Sequence, residues 1–342
     1  MNGLFDLWGK TVAGDPMAFH PALYHMLDAA QVARVLLGPA APTGWRQALG
    51  RALGCGEDTA CATVPWLVAL HDLGKCSQAF QEMVPEQRAR LAERGVPFGR
   101  RAMSTLRHPV VGAAAWAALQ SDPIGALPEP LSWAACQVVG GHHGVWLKAG
   151  QTRDAARRIA AMEPRYWAEA RSAAVEWLWE QLHPACPDGD LDLSTAIMCL
   201  SGFTILCDWL ASDERFFPAA PDVAPEAYGA LSEERARDAV RSAGFLQPSS
   251  SAASTAFGRL FADLGAPRPL QETVDAIPAD LLAEPVLACI EAPTGEGKTE
   301  AALALAHRIG ALRGTDALYY ALPTMATSNQ MFRRLKAHLT ER

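Results

Sequence analysis

The segment 64–70 contains only apolar residues, including Trp66, and leads directly into His71 and Asp72. A run of this kind is typical of a helix face that packs in a core. Burying an aspartate costs several kcal/mol unless the carboxylate is paired or bound to a metal. The chain must therefore fold so that other residues bring partners to Asp72.

The composition describes a chain that can build substantial cores. Its 342 residues are 50% hydrophobic, and the length predicts about two domains. The net charge of −7 provides no general attraction to nucleic acid, so phosphate binding would need a local patch or a metal. The eight cysteines form no C-x-x-C pair, as expected of reduced thiols in a cytosolic protein. The opening MNGLFDLWGK is neither basic enough nor apolar over a long enough stretch to be a signal peptide.

One stretch raises the question of a membrane. Residues 193–207 form a run of fifteen uncharged residues that ends at Asp208. A bilayer-spanning helix needs roughly 20 apolar residues. We therefore expect no membrane association and predict a helix that is buried on all sides.

The sequence pattern predicts a mainly α protein, in which a helical bundle over 1–245 precedes an incomplete α/β segment. A helix is expected after Pro21, because apolar residues follow it at helical spacing. Further helices are predicted over 109–119, 131–139, 155–180, 193–211 and 231–243, and a proline-rich loop over 213–228.

The pattern of residue types along the chain changes after residue 245. The segment LQPSSSAAST (246–255) is the best candidate for a linker, and 246–285 is assigned as a linker region. Residues 286–342 read as a strand, a glycine-rich turn, a helix and a second strand, which is a β–α–β unit.

Imidazoles and carboxylates recur within the helical region. Besides the His71–Asp72 pair, the candidates are His20, His25, His108, His142, His143 and Asp208. A single histidine on an apolar face is usually a satisfied core residue, but packing alone does not explain so many in one domain. Mixed imidazole and carboxylate ligands suit Mn, Fe, Co, Ni or Zn better than an all-oxygen magnesium site.

The order of these motifs resembles the HD nuclease domain of the CRISPR-associated helicase–nuclease of type I systems. The motifs are LYHMLDAAQVA (23–33), HDLGK (71–75), RHP (107–109), GHHG (141–144) and CDWLAS (207–212). The resemblance covers about 1–245. It implies cleavage of single-stranded DNA together with a guide-RNA surveillance complex.

The resemblance also assigns two metal ions and their ligands. The implied ligands are His25, His71, Asp72, His108, His142, His143 and Asp208, with Asp72 bridging both ions. The ions would be Mn, Fe, Co or Ni, with Mg possible. His20 is the alternative to His25, and Asp28 is expected to accept the second ring N–H of His25. Lys75 would join Asp72 in catalysis by reaching a phosphate oxygen, and Ser212 is a further match.

A phosphate loop lies in the last segment, between the predicted strand 286–290 and an alanine-rich helix. Its sequence, APTGEGKT (292–299), has alanine where the usual pattern begins with glycine. Lys298 would reach the β- and γ-phosphates and Thr299 a Mg²⁺ ion, with Thr294, Gly295 and Gly297 completing the loop. The resemblance extends to a superfamily 2 helicase start, in which Gln271 would read adenine and ATP with Mg²⁺ would bind in the full-length protein.

The acidic Walker B or Asp-Glu-x-His motif of a helicase has no counterpart in these 342 residues. After Thr299 the only acidic residues are Glu300, Asp316 and Glu341, and none follows an apolar strand. We therefore expect an incomplete helicase without ATP turnover.

Two other function classes remain open. The histidines and aspartates could belong to an HD phosphohydrolase that acts on a nucleotide, although such enzymes usually have fewer ligands. The chain could also be a non-catalytic recruitment module with a structural histidine cluster. Metal content separates the recruitment module from the two enzymes, and competition between a nucleotide and a single strand separates the two enzymes. A nuclease assay on circular single-stranded DNA with a panel of divalent metals is the most informative single experiment.

Overall fold

The computed structural model describes residues 3–100, 106–119, 127–187, 189–246, 257–261, 264–313 and 318–340. The chain divides into two compact units, Met1–Gln247 and Pro248–Arg342. The first unit is a helical bundle with a small hairpin, and the second is helical in its described residues. The mainly α prediction is confirmed.

The bundle is built from helices of very different lengths. They are α1 (Ala22–Leu36), α2 (Gly44–Ala52), α3 (Glu57–Ala69), α4 (Gln78–Gln81), α5 (Pro85–Glu93), α6 (His108–Leu119), α7 (Glu129–Gly141), α8 (Ala149–Met162), α9 (Arg165–Leu182), α10 (Leu193–Ala211) and α11 (Pro225–Ser242). Helix α1 begins directly after Pro21, as predicted, and is buried along most of its length. It packs against α3, α10 and α11, so it forms the centre of the unit.

An antiparallel hairpin precedes α1 and was not predicted. Strands β1 (Trp8–Val12) and β2 (Asp15–Pro21) pair with Lys10 opposite His20. The turn contains Gly14 at φ +83°, a conformation that glycine adopts at little cost. The strands are too short to give a clear alternation of apolar and polar residues, so only the turn glycine could have indicated them.

The expected helix over 193–211 forms as α10, but it is not buried on all sides. Met198 is 63% exposed and Trp209 is 70% exposed. By length and composition α10 is the one helix in the described residues that could cross a membrane. Its other face packs against α1, α2 and α7.

Two further helix predictions need correction. The predicted helix over 155–180 is two helices, α8 and α9, which are separated at Glu163 and Pro164. A proline favours a helix start and disfavours helical conformation in the residue before it, which explains the break. The predicted loop over 213–228 ends early, because Pro225 begins α11.

The run before Asp72 forms α3, which continues into a 3₁₀ turn, Leu70–Lys75. Asp72 leaves helical geometry at φ −102° and ψ 16°, and every residue of the turn is buried. The turn packs closely on α6 at Gly74, where an added Cβ would lie 1.8 Å from the carbonyl oxygen of His108. Glycine at this position thus permits the two segments that carry His71 and His108 to meet.

The second unit contains α12 (Phe257–Leu260), α13 (Pro269–Asp275), α14 (Ala279–Ala283), α15 (Lys298–Arg313) and α16 (Met325–Thr340). Val274, Leu282, Ala301 and Leu305 form one of its apolar clusters. The two predicted strands do not form within the described residues, where 285–293 and 318–322 have no strand pairing. Leu287 is 91% exposed and Tyr319 is 88% exposed. A strand exists only through hydrogen bonds to a neighbouring strand, and neither segment has one in the described part of the chain.

Candidate metal centre

The sequence-predicted ligands converge in the first unit from five structural elements. His25 lies on α1, His71 and Asp72 on the 3₁₀ turn, His108 at the start of α6, His142 and His143 at the end of α7, and Asp208 near the end of α10. Each helix approaches the centre with one end or one face, which is why residues so distant in sequence can meet.

One oxygen of Asp72 faces the first group of ligands. The Oδ2 atom lies 3.3 Å from His25 Nε2 and 3.3 Å from His71 Nε2. The Oδ1 atom of Asp208 lies 3.0 Å from His25 Nε2 and 3.5 Å from His71 Nε2. These four side chains place two carboxylates around two imidazole nitrogens.

The other oxygen of Asp72 faces the second group. The Oδ1 atom lies 3.3 Å from His108 Nε2 and 3.7 Å from His142 Nε2. His108 Nε2 also lies 3.3 Å from His142 Nε2 and 3.2 Å from His143 Nε2. Asp72 thus stands between a group with Asp208 and a group of three histidines.

Adjacent residues on a helix point about 100° apart, so His142 and His143 needed a local turn to share a site. The helix ends at Gly141, and Gly144 follows at φ +82° with its N–H bonded to the Gly141 carbonyl. The two imidazole centroids lie 4.2 Å apart. The glycines around the pair provide the turn.

Backbone contacts favour the tautomer of two histidines that a metal requires. His71 Nδ1 lies 2.9 Å from the Val68 carbonyl oxygen, and His142 Nδ1 lies 2.8 Å from that of Val139. A carbonyl only accepts, so each Nδ1 carries the proton and each Nε2 is left to bind a metal. The Nε2 atom of His71 is buried and faces Asp72 Oδ2 at 3.3 Å and Asp208 Oδ1 at 3.5 Å. A cation at this position would take the place of a proton between the nitrogen and these two oxygens.

The histidines of the centre differ in the direction of their pKa shifts. Burial lowers the pKa of His142 to about 3, and burial followed by the Lys10 charge lowers the pKa of His25. Burial also opposes protonation of His71, but Asp72 and Asp208 raise its pKa to about 10. Without a metal, a proton on His71 therefore balances part of the carboxylate charge.

Both carboxylates remain ionised. Burial alone would raise the pKa of Asp72, but Lys75 and His71 hold it well below its usual range. Burial likewise opposes ionisation of Asp208, while hydrogen bonds with His25 and His71 hold its pKa well below its usual range. Two ionised carboxylates among nitrogen donors match the preferences of first-row transition metals.

Lys75 is paired within the centre. Its Nζ atom lies 2.6 Å from Asp72 Oδ2 and 5.5 Å from the centre of the Phe80 ring. The side chain is buried, so its positive charge is kept close to the Asp72 carboxylate.

The expected role of Asp28 is wrong. Its carboxylate contacts His20 Nε2 at 2.9 Å and accepts hydrogen bonds from Tyr228 and Ser232 on α11. Nδ1 of His25 has no hydrogen-bond partner among the described residues. Asp28 is thus used to join α1 to α11. The same contacts hold His20 apart from the ligand groups, to which the structure brings His25.

Lys10 also reaches the centre, although it was not among the residues predicted from the sequence. The Nζ atom of Lys10 donates to Ser212 Oγ at 2.7 Å, and Ser212 Oγ donates to Asp208 Oδ1 at 3.1 Å. Burial and the nearby Lys75 charge lower the pKa of Lys10 to about 8. Because the contact joins residues 202 positions apart, no local sequence signal could have indicated it.

The donor sets fit metal ions. His25, His71 and Asp72 offer ligand atoms within 4.8 Å of one another, and so do His108, His142 and His143. These two donor groups, which face different oxygens of Asp72, fit divalent cations.

The second unit brings the predicted phosphate-loop residues together. Gly295 and Gly297 have φ of +93° and +76°. Lys298 Nζ donates to the carbonyl of Pro293 at 2.8 Å, and Gln271 Nε2 lies 3.4 Å from the Gly297 carbonyl oxygen. Thr294 and Thr299 flank these residues in the loop and at the start of α15. Gln271 therefore lies against the phosphate loop, and its predicted role in reading adenine stays a prediction.

The helical fold and the histidine–aspartate cluster define an HD-type metal-binding domain. Residues 8–217 match the family model described as the HD domain of Cas3, and the chain belongs to this family. It is 34% identical over 339 residues to the CRISPR-associated endonuclease/helicase Cas3 of Thermus thermophilus. That alignment covers 97% of this chain and 35% of the relative, so the chain spans about a third of the relative's length.

Solved structures of similar proteins agree with this assignment. A crystal structure of a CRISPR-associated protein has a TM-score of 0.69 and 31% identity, over 99% of this chain and 37% of that one. The Thermus thermophilus Cas3 HD domain in the presence of Ni²⁺ has a TM-score of 0.53 and 28% identity, over 73% of this chain and 93% of that one. A chain in a CRISPR RNA-guided surveillance complex before nicking has a TM-score of 0.61 and 28% identity, over 97% of this chain and 38% of that one.

Proposed function

We propose that this chain is a divalent-metal-dependent nuclease that hydrolyses single-stranded DNA in type I CRISPR interference. The observation that carries the proposal is the division of the ligands by Asp72. Asp72 Oδ2 faces His25 and His71, and Asp72 Oδ1 faces His108 and His142, each at 3.3–3.7 Å. One carboxylate between two donor groups would hold two ions close enough to act together on one phosphodiester.

His25, His71 and Asp208 would hold one ion, and His108, His142 and His143 would hold the other, with Asp72 shared. Mn, Fe, Co or Ni suits these donors, and Mg remains possible. The crystal structure of the Thermus thermophilus Cas3 HD domain in the presence of Ni²⁺ supports this choice. Two such ions would lower the pKa of a shared water and neutralise charge on the phosphodiester.

The protein's own groups would orient and stabilise the reacting phosphate. The hydrogen bonds to Val68 and Val139 fix the rings of His71 and His142, so these ligands need no reorganisation. Lys75 lies beside Asp72, where it would stabilise the charge that the non-bridging phosphate oxygens gain in the transition state.

The second unit would bind the phosphates of ATP. Gly295, Gly297, Lys298 and Thr299 stand at the N-terminus of α15, where backbone N–H groups and the helix dipole attract anions. We infer that this segment, with Gln271 and Thr294, serves a helicase in a longer protein. A guide-RNA surveillance complex is the proposed partner, as the similarity to a chain in such a complex supports, and the cytoplasm is the proposed location.

The test is cleavage of circular single-stranded DNA without ATP, with Mn²⁺, Co²⁺, Ni²⁺ and Mg²⁺ tested in turn. Wild type should cut the circle and leave duplex DNA intact. His71→Ala and Asp208→Ala should each abolish cutting. The matched control is His307→Ala, which changes an exposed histidine on α15.

Each alternative predicts a different result. Hydrolysis of free nucleotides, with circular DNA left intact, would favour an HD phosphohydrolase. A chain that binds no metal and hydrolyses neither substrate would favour a recruitment module. Undiminished cutting by both active-site variants would refute the proposed centre.

A further inference from the structure

We infer that Lys10 and Ser212 act as a positioning pair for Asp208 and so strengthen one of the two metal positions selectively. This inference rests on the metal centre proposed above. Lys10 lies outside every motif that identified the centre, and its side chain nevertheless ends two hydrogen bonds from a ligand carboxylate.

The hairpin determines where Lys10 points. Lys10 on β1 pairs with His20 on β2, and β2 runs directly into α1, which carries His25. The backbone that places His25 in the centre therefore also places Lys10 beside it. The Lys10 side chain then crosses to the end of α10, where Ser212 is the C-cap residue.

The chemistry of the three groups gives the contact a direction. An ammonium group has donors only, so Lys10 can only donate to the Ser212 oxygen. A serine hydroxyl has a single O–H to donate, and that O–H points at Asp208 Oδ1 at 3.1 Å. Lys10 thus fixes the rotation of the hydroxyl, and the hydroxyl fixes the carboxylate.

Asp208 is the ligand that needs this support. Its side chain is 16% exposed, whereas that of Asp72 is 3% exposed. His71 is held by a backbone carbonyl, as is His142 in the other group. Among the proposed ligands in the described residues, Asp208 contacts His25 and His71, so loss of the pair should weaken the ion on that side and spare the ion held by the three histidines.

Titration of the full chain with Mn²⁺, followed by the electron paramagnetic resonance signal of free Mn²⁺, resolves the two binding steps. Lys10→Met should weaken one step by about 10–100-fold, the usual effect of removing a group that orients a ligand, and leave the other unchanged. Ser212→Ala should weaken the same step. The double variant should be no worse than the more affected single variant, because both residues act through one contact.

Two further variants separate positioning from other roles. Lys10→Arg keeps a charged donor and should restore much of the lost affinity. Thr11→Val, a change of the same strand without loss of size, should leave both binding steps as in wild type.

Several results would overturn the inference. Unchanged Mn²⁺ binding by Lys10→Met, with a higher KM for DNA, would make Lys10 a substrate-binding residue. Equal weakening of both steps, or a lower melting temperature with both steps intact, would make its role structural. Two Mn²⁺-binding steps with the same affinities in wild type, Lys10→Met and Ser212→Ala would refute this inference alone. The absence of Mn²⁺ binding by wild type would refute the metal centre and the inference together.

Discussion

Metal binding on the His25–His71–Asp208 side should tighten as pH rises from 6.5 to 8.5. Asp72 and Asp208 raise the pKa of His71 to about 10, although burial opposes this. His71 must release its proton before Nε2 can bind an ion. His25, His142 and His143 have lowered pKa values, so they are largely neutral in this range and release none. Burial and the Lys75 charge lower the pKa of Lys10 to about 8, so Lys10 also titrates in this range, and the same titration of Lys10→Met separates its proton from that of His71.

The size of the effect follows from the distance between pH 7 and the pKa of His71. Three pH units correspond to about 4 kcal/mol, at 1.36 kcal/mol for each unit. Apparent affinity for this ion should therefore rise about tenfold for each pH unit, with release of about one proton. The proton belongs to the coupled group of His71, Asp72 and Asp208, so its loss is best followed as a property of the group.

Mn²⁺ titrations at pH 6.5, 7.5 and 8.5 measure the affinity, and calorimetry in two buffers of different ionisation enthalpy counts the protons released. Asp208→Asn removes one of the carboxylates that raise the pKa of His71, so the proton release of this variant should be smaller. His307→Ala should behave as wild type. A dissociation constant that does not change with pH would refute the reasoning.

The remaining predictions concern stability and nucleotide chemistry. In metal-free protein the pKa of His71 is about 10 in the folded state, above the value of about 6.5 in the unfolded state. The contribution of His71 to the free energy of unfolding is therefore complete below pH 6.5 and is lost as pH rises through about 10. Melting temperatures measured in EDTA should fall over this pH range. Gly74→Ala should cost more than about 4 kcal/mol in urea unfolding and abolish Mn²⁺ binding, because its Cβ would lie 1.8 Å from the His108 carbonyl oxygen. Gly202→Ala, an exposed helix position with open space around the new Cβ, should gain about 0.5–1 kcal/mol instead. These 342 residues should release no phosphate from ATP with single-stranded DNA present. None of the acidic residues after Thr299 follows an apolar strand, and Glu300 is paired with Arg334 of α16, so no acid is placed to hold the metal ion for hydrolysis. Phosphate release that Lys298→Ala abolishes would contradict this prediction.

The residues of the histidine–aspartate cluster could be predicted to lie together because their chemistry is visible in the sequence. Imidazoles and carboxylates next to apolar runs are costly to bury alone, and several of them in one domain indicate a shared partner. The order of their motifs then supported two ions. What the sequence lacked was the rotation of individual side chains, so Asp28 was wrongly assigned to His25 when its carboxylate faces Tyr228 and Ser232.

The fold could be predicted where it depends on local pattern and not where it depends on distant neighbours. Helix α1 follows from Pro21 and the apolar spacing after it. The exposure of Trp209 on α10 depends on which helices surround it, which composition alone does not determine. The strand predicted at 286–290 needed a neighbouring strand, and an apolar run cannot indicate whether one is present.

The charges of the centre explain how an acidic protein could bind a polyanion at this position. In metal-free protein the carboxylates of Asp72 and Asp208 are balanced by Lys75 and by the proton on His71. A neutral centre in a chain of net charge −7 offers DNA little attraction. Replacement of one proton by divalent ions would make the centre strongly positive, with Lys10 and Lys75 beside it. If the chain is the nuclease proposed above, metal loading should create the local field that attracts the phosphate, and DNA binding should then depend on metal as much as cleavage does.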